Sequence, residues 1–242
     1  MISEITLAKH FSSLWDMITP NSENVIKSLN KTLIGLRRYP FNYSKPERRA
    51  LINEIGFELF SQTLQRSDAG PDGISLAGRR AMAIAAAQAN QSRFEHHAKD
   101  ILVDPSQIEM LESMSIANTL SSYVREIRLH TTDRQVSLRP DLRGCGILDK
   151  CEADLLVGDI LIEVKSGDRN FRSLDLRQLL IYATLNYIEG THKIRKISCV
   201  NPRRAVYFLV DIDTVCLQIA NRSSQELFGE LSYALSSGGI SR

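Results

Sequence analysis

Residues 152–165, EADLLVGDILIEVK, constrain the fold of this chain more strongly than any other stretch. Two apolar runs flank the pair Gly158-Asp159, and glycine at the first central position of a two-residue loop is typical of a type II′ turn. The pattern therefore predicts a β-hairpin over 152–165, with Val157 facing Ile160 across the turn.

This register puts four polar residues on one face of the hairpin. Counting outward from the turn, Asp154 lies directly opposite Glu163, and Glu152 lies opposite Lys165. The other face is apolar and is predicted to face the core; it consists of Ala153, Leu155, Val157, Ile162 and Val164.

Two opposed carboxylates need a positive charge beside them. With Cβ atoms about 5 Å apart, Asp154 and Glu163 repel each other and destabilise the sheet. A divalent metal ion bound by both would offset that repulsion. In the alternative, Lys165 neutralises the acids in a partly exposed polar cluster and pairs with Glu152 across the strands.

The segment after the hairpin is predicted to be a helix over 173–188. It contains QLLIY, in which Gln178 and Tyr182 are four residues apart and therefore lie on one face of the helix. Taken alone, the pair is more typical of a surface glutamine beside an interfacial tyrosine than of a functional site.

Taken together, these motifs resemble the PD-(D/E)XK nuclease superfamily, in particular its RecB-like branch. The resemblance covers about residues 105–219. The motifs that carry it are, in chain order, Asp154, the E-x-K element Glu163-Val164-Lys165, and the Q-x-x-x-Y element from Gln178 to Tyr182.

The resemblance implies a metal site and a catalytic lysine. Asp154 and Glu163, helped by the carbonyl of Val164, would bind Mg²⁺ or Mn²⁺, because these hard cations prefer oxygen ligands. Lys165 would orient the attacking water and help to deprotonate it.

The remaining motif residues are implied to serve the substrate. Gln178 and Tyr182 would support the site and contact the nucleic-acid strand. A positioning role for phosphate is also expected from nearby arginines, namely Arg169, Arg172 and Arg177.

Other acids and histidines are weaker candidates. Asp141, in the literal Pro-Asp pair at 140–141, is an alternative metal ligand. Some members of the family add a glutamate from the preceding helix, for which Glu112 or Glu126 is available, or a histidine, for which His130 is the nearby choice. The pair at 96–97, His96-His97, is interpreted as a helix surface.

Apolar periodicity predicts the elements around the hairpin. The first hundred residues are predicted to be helical, with a loop at 67–73. The predicted helices are 3–18, 22–38, 45–66, 76–91, 105–128, 173–188 and 223–236, and the further strands are 134–139, 195–200 and 205–219. This order favours a mixed α/β fold, with a mixed β-sheet flanked by helices.

The domain organisation follows from that order and from the resemblance. Residues 1–100 are expected to form a helical region that binds substrate or a partner, and residues 101–242 a PD-(D/E)XK-like nuclease core.

Composition excludes some classes of protein and names no partner. The net charge is only +2, and the apolar runs are far shorter than the roughly 18 residues of a spanning helix. The amino-terminal stretch MISEITLAKHF lacks the apolar region of a signal peptide, so a soluble cytoplasmic protein is expected. The four cysteines form no CxxC pair, which favours free buried thiols and gives no counterpart to the iron–sulfur cluster of certain RecB-like nucleases.

The expected function is that of a Mg²⁺- or Mn²⁺-dependent deoxyribonuclease acting in phage defence, restriction or repair. DNA is the expected partner, together with a partner subunit or a second copy of the chain. The alternative is a catalytically inactive subunit of the same fold that binds nucleic acid or assembles a larger complex. A third hypothesis is an unrelated binding protein in which the hairpin acids are structural.

Overall fold

The structure, a computed structural model, describes residues 1–39, 44–69, 74–92 and 103–237. The helices of these residues are α1 (Glu4–His10), α2 (Ser12–Ile18), α3 (Ser22–Leu29), α4 (Arg49–Ala69), α5 (Leu76–Ser92), α6 (Gln107–Ile127), α7 (Ser173–Glu189), α8 (Ile212–Ala220) and α9 (Ser224–Ser237). The strands are β1 (Ile34–Gly35), β2 (Val136–Leu138), β3 (Asp141–Leu142), β4 (Cys151–Glu152), β5 (Leu155–Val157), β6 (Ile160–Val164), β7 (Lys196–Asn201) and β8 (Val206–Asp211).

A mixed six-stranded sheet confirms the predicted α/β class. Its strand order is β1-β8-β7-β6-β5-β2, and β3 pairs with β4 in a separate two-stranded sheet. All neighbours in the larger sheet are antiparallel except β6 and β7, which are parallel and are joined by α7. Parallel strands need such a crossover, so α7 is held against the sheet next to the carboxyl end of β6.

The hairpin register is confirmed for the rungs nearest the turn. Val157 pairs with Ile160, and Leu155 pairs with Ile162. Gly158 has φ of +56°, and a Cβ atom there would lie 2.1 Å from the carbonyl oxygen of Asp133. Both the backbone angle and the available space therefore require glycine at this turn.

The prediction that only one face of the hairpin is buried is wrong. Leu156 and Leu161 lie on the face that also carries Glu163, and both belong to the main core cluster with Tyr182. Leu155 and Ile162, on the other face, are also fully buried. A strand in the interior of a mixed sheet has both faces covered, so its apolar run is nearly continuous instead of alternating.

Several predicted elements have different limits. The predicted helix over 3–18 is broken at Phe11 into α1 and α2. The predicted helix over 22–38 ends at Leu29, and β1 follows. The predicted strand over 205–219 ends at Asp211, whose side chain accepts a hydrogen bond from the Thr214 amide and so caps α8.

Contacts divide the chain into two compact units that do not follow a boundary at residue 100. The first unit contains Met1–Gly35, Ile127–Asn201 and the chain from Val206 onward. It holds both sheets and the helices α1, α2, α3, α7, α8 and α9. Helix α7 is buried on most of its surface because it packs against α1, α3, α9 and β6.

The second unit is helical and contains Leu36–Glu126, so far as it is described, with Pro202–Ala205. Helix α4 packs against α5, and at Gly56 it approaches α6 so closely that a Cβ atom would lie 2.7 Å from the Ile116 side chain. Glu112 is fully buried in this unit and forms an ion pair with Arg203.

Candidate active site

Asp154 lies at the point where the main-chain ladder of the hairpin ends. The last rung is Leu155–Ile162, and Asp154 lies in a bend between β4 and β5. Its carboxylate oxygen Oδ2 accepts a hydrogen bond of 2.7 Å from the amide of Val164, where the next ladder bond would have been. The side chain is thereby held beside β6, half-buried and close to Glu163.

The predicted pairing of Glu152 with Lys165 is wrong. Glu152 belongs to β4, is exposed, and lies opposite Asp141 of β3. The Lys165 amide instead donates to the carbonyl oxygen of Val200 on β7. The chain bends at Asp154 and leaves the hairpin, so the register counted outward from the turn does not extend beyond that residue.

Glu163 is the most deeply buried acid of the hairpin, with 4% of its surface exposed. Its Oε1 atom accepts a bond of 2.6 Å from the Lys165 ammonium. Its Oε2 atom is buried and has no hydrogen-bond partner among the described residues. Burial, followed by the charge of Asp154, raises the pKa of the Glu163 carboxyl, while Lys165 acts in the opposite direction.

A chain of hydrogen bonds links the E-x-K and Q-x-x-x-Y motifs. The Lys165 ammonium donates to Oε1 of Gln178 at 2.7 Å, and Nε2 of Gln178 donates to the Tyr182 hydroxyl at 2.7 Å. The two helix residues are both buried, with 6% of Gln178 and 2% of Tyr182 exposed. Gln178 therefore holds the Lys165 ammonium in place, and the Q-x-x-x-Y spacing places both of its members on the helix face that meets the sheet.

Two carboxyl groups and one cation meet in the site. Burial lowers the pKa of Lys165, but the neighbouring carboxylates of Glu163 and Asp154 raise it above its ordinary value. The raised pKa keeps the ammonium protonated. Burial and the same carboxylates also raise the pKa of the Tyr182 hydroxyl, which stays neutral.

A buried ion pair fixes the loop that follows Lys165. The two terminal nitrogens of the Arg169 guanidinium, Nη1 and Nη2, donate to Asp175 at 2.6 and 2.7 Å, and Asp175 is fully buried. Asp175 also accepts from the amide of Arg172 and so caps the first turn of α7. Asp175 is not among the predicted site residues, although an acid at the third position of a predicted helix is a signal of such a cap.

The predicted arginines thus occupy three different environments. Arg169 forms an ion pair with Asp175, and Arg172 is exposed at the start of α7. Arg177 is largely buried, with its guanidinium carbon 5.7 Å from the centre of the Trp15 ring.

The weaker candidates do not join these residues in a cluster. Asp141, Glu126 and His130 are exposed. Glu112 accepts hydrogen bonds from the amide and hydroxyl of Ser44 within the second unit. The pair at 96–97 lies outside the described residues.

The donor set fits a hard divalent cation. Mg²⁺ typically binds to one or two carboxylates and keeps several waters or phosphate oxygens. Asp154 and Glu163 supply two carboxylates, and the buried Oε2 of Glu163 lacks a hydrogen-bond partner among the described residues. In the described ranges, no three side chains of His, Cys, Asp or Glu are grouped to hold a metal, so the site offers these two acids and no third.

The four cysteines are free, and three of them are buried. No helix in the described part of the chain combines the length and the apolar character needed to cross a membrane.

Comparisons of the chain with family models, with curated proteins and with solved structures find no match.

Proposed function

We propose that this chain is a metal-dependent nuclease that hydrolyses phosphodiester bonds in DNA, with a PD-(D/E)XK-like core in its first unit. The observation that carries the proposal is the buried Oε2 atom of Glu163, which has no hydrogen-bond partner among the described residues and lies beside a second carboxylate, Asp154. A buried acceptor of this kind costs about 1–3 kcal/mol, and more when it is charged. A divalent cation held by both acids would remove that cost.

A bound Mg²⁺ or Mn²⁺ would supply a Lewis acid for the scissile phosphate and would lower the pKa of a coordinated water. Asp154 and Glu163 would hold that cation. Asp154 is suited to this because Val164 fixes its carboxylate at Oδ2, and Glu163 because Lys165 fixes its carboxylate at Oε1.

Lys165 is proposed to act as a hydrogen-bond donor. Its raised pKa keeps the proton on Nζ, so the ammonium can orient the attacking water or stabilise negative charge on the phosphate. Gln178 is proposed to be a positioning residue, because its amide fixes Nζ of Lys165 and is itself oriented by Tyr182. This connected arrangement favours catalysis over the inactive-subunit alternative, in which no residue requires an oriented lysine.

The test is cleavage of linear duplex, circular and single-stranded DNA by the purified chain with Mg²⁺, with Mn²⁺ or with EDTA. Wild-type protein is expected to cleave at least one substrate with either metal and none with EDTA. Asp154→Asn and Lys165→Met are each expected to reduce cleavage by at least about 100-fold. Glu152→Gln is the matched control, because Glu152 is an exposed acid just outside the hairpin, and its activity should equal that of the wild type.

Two results would contradict the proposal. A wild-type chain that cleaves none of the substrates, yet is stabilised by Mn²⁺, would support the inactive-subunit alternative. Cleavage that survives unchanged in Lys165→Met would mean that the reaction takes place elsewhere or in a contaminant.

A further inference from the structure

A basic groove lies in the first unit between α1, α3 and the start of α7. Its volume is about 510 Å³. Four cationic side chains line it, and they are Lys9, Lys27, Arg172 and Arg177. The single acid in the lining is Glu23, whose carboxylate accepts a hydrogen bond from the hydroxyl of Ser173.

Three of the four cations of the groove are free of ion pairs within the described part of the chain, and the fourth, Arg177, has only a long contact with Asp16. Lys9, Lys27 and Arg172 are exposed, and none of them forms an ion pair with a carboxylate of the described residues. Four positive charges beside one carboxylate therefore give this concave surface a positive potential.

Arg177 is the most deeply buried of the four cations that line the groove. Only 13% of its side chain is exposed, its Nε atom is buried without a hydrogen-bond partner among the described residues, and its nearest carboxylate is Asp16 at 3.9 Å. Asp16 is itself 78% exposed, so this contact is weak. A largely buried guanidinium stays costly unless an anion comes near, and the groove is where an anion would have access to it.

The floor of the groove is fixed before any ligand arrives. The Asn30 side chain donates to the carbonyl oxygen of Phe171 at 2.8 Å and accepts from the amide of Phe171 at 3.1 Å. This pair of bonds ties the loop before α7 to α3. The cations are consequently carried on elements that hold each other in place, which lowers the entropy lost on binding.

We propose that this groove binds phosphate groups of the cleaved DNA strand that neighbour the scissile phosphate. The inference rests on the proposed nuclease function and specifies how the substrate is held. Leu174 lines the groove and lies one helical turn, about 5.4 Å, before Gln178 of the candidate site. A strand whose scissile phosphate lies at the candidate site would therefore place neighbouring phosphates at the groove.

The experiment compares two double variants, each of which removes two positive charges. Lys27→Gln with Arg172→Gln changes the groove. Lys150→Gln with Lys193→Gln changes two other exposed lysines of the same unit that do not line it. Arg177 is left intact because it packs against Trp15.

The affinity of each protein for fluorescent single-stranded and duplex oligonucleotides is measured by anisotropy at salt concentrations from about 50 to about 200 mM. Over this range, affinity that depends on phosphate contacts falls steeply as salt increases. Ca²⁺ replaces Mg²⁺ so that binding is measured without turnover. The groove variant is expected to bind about tenfold more weakly near the middle of this range, with a salt slope reduced by about 2, and the control variant is expected to bind like the wild type. Thermal melting checks that both variants are folded.

Equal affinities of the two double variants would overturn the proposal, because the groove would then contribute no more than any other exposed charge. Cleavage of DNA by the wild type with Mn²⁺ is measured separately. If the wild type does not cleave but the groove variant binds more weakly than the control, the nuclease function fails while the groove remains a phosphate-binding site. If the wild type cleaves and the groove variant binds normally, the nuclease function stands and the groove does not.

Discussion

Replacing Glu163 by glutamine is expected to remove a pH-dependent loss of stability from the metal-free protein. Burial, followed by the charge of Asp154, raises the pKa of Glu163 to about 8, whereas glutamate in an unfolded chain titrates near about 4.3. The folded state thus holds this proton more tightly than the unfolded state. The stabilising contribution is fully present below about pH 4 and is lost as the pH rises through about 8.

The size of the effect follows from the separation of the two pKa values. Each pH unit between them corresponds to about 1.4 kcal/mol and the dependence flattens near pH 8, so the interval from pH 5 to pH 8 costs the wild type about 4 kcal/mol of its free energy of unfolding. Glu163 is 4% exposed, so solvent provides little screening. A loss of this size is a large part of the roughly 5–15 kcal/mol that stabilises a typical folded protein.

Urea unfolding in EDTA at pH 5 and pH 8, followed by tryptophan fluorescence, measures this loss. Trp15 is the single tryptophan of the chain, is fully buried, and belongs to the same core cluster as Tyr182, so its signal reports on the unit that holds the site. Wild type is expected to lose about 4 kcal/mol more than Glu163→Gln between the two pH values. Glu152→Gln, the exposed control, should lose as much as the wild type, because all other titrating groups are common to the three proteins.

If wild type and Glu163→Gln lost the same stability between pH 5 and pH 8, Glu163 would not be a buried acid beside Asp154. The assignment of a two-carboxylate metal site would then be wrong, whatever activity the protein has.

The other predictions concern the metal, the lysine and the turn. Mn²⁺ at about 100 times its dissociation constant should stabilise the wild type by about 2.7 kcal/mol in thermal melting, and Asp154→Asn should abolish that gain, so an equal gain in the variant would place the metal elsewhere. Lys165→Met should keep the Mn²⁺ stabilisation while losing cleavage, which separates its role from metal binding in the same two assays. Gln178→Leu should lower kcat more than it raises KM, because it frees the Lys165 ammonium; a change in KM alone would instead assign Gln178 to substrate contact. Gly158→Ala should destabilise the fold by at least about 2 kcal/mol in urea unfolding, because alanine is strained at positive φ and its Cβ meets the Asp133 carbonyl.

The local register of the hairpin is predictable because it depends on residues close together in sequence. Glycine at the turn and the two apolar runs specify the pairs Val157–Ile160 and Leu155–Ile162. The same counting fails at Glu152, since the bend at Asp154 sends the chain into a second small sheet with β3. No local rule in the sequence signals that bend.

The predicted core face of the hairpin is buried, but the opposite face is buried too, and the sequence pattern missed this for a related reason. Alternation of polar and apolar residues identifies the solvent-exposed face of a strand only if the strand has such a face. Strand β6 is covered on both faces. Glu163 is therefore a buried acid among core residues such as Leu161 and Tyr182, which explains its raised pKa and was not predictable from the pattern.

The role of Gln178 is also decided by packing. The spacing of Gln178 and Tyr182 predicts a shared helix face, and the two side chains are indeed joined by a hydrogen bond. Whether that face meets a substrate or the sheet depends on how α7 is set against β6, and the structure sets it so that the amide binds Lys165.

The sequence by itself thus determines the hairpin turn and the α/β class, because periodicity and turn chemistry act over a few neighbouring residues. The candidate set of Asp154, Glu163, Lys165, Gln178 and Tyr182 comes instead from the resemblance of the motifs to a nuclease superfamily. The tertiary structure alone decides that these side chains meet, that the acids outnumber the lysine in a buried place, and that four cations from α1, α3 and α7 form one groove. The groove arises from contacts between segments more than a hundred residues apart, such as Asn30 with Phe171, which are separated by 141 positions. The site depends on packing between closer elements, such as Lys165 of the hairpin with Gln178 of α7. Burial and charge balance depend on such contacts, and they set the pKa values and the affinity for cations or phosphates that a list of motifs does not contain.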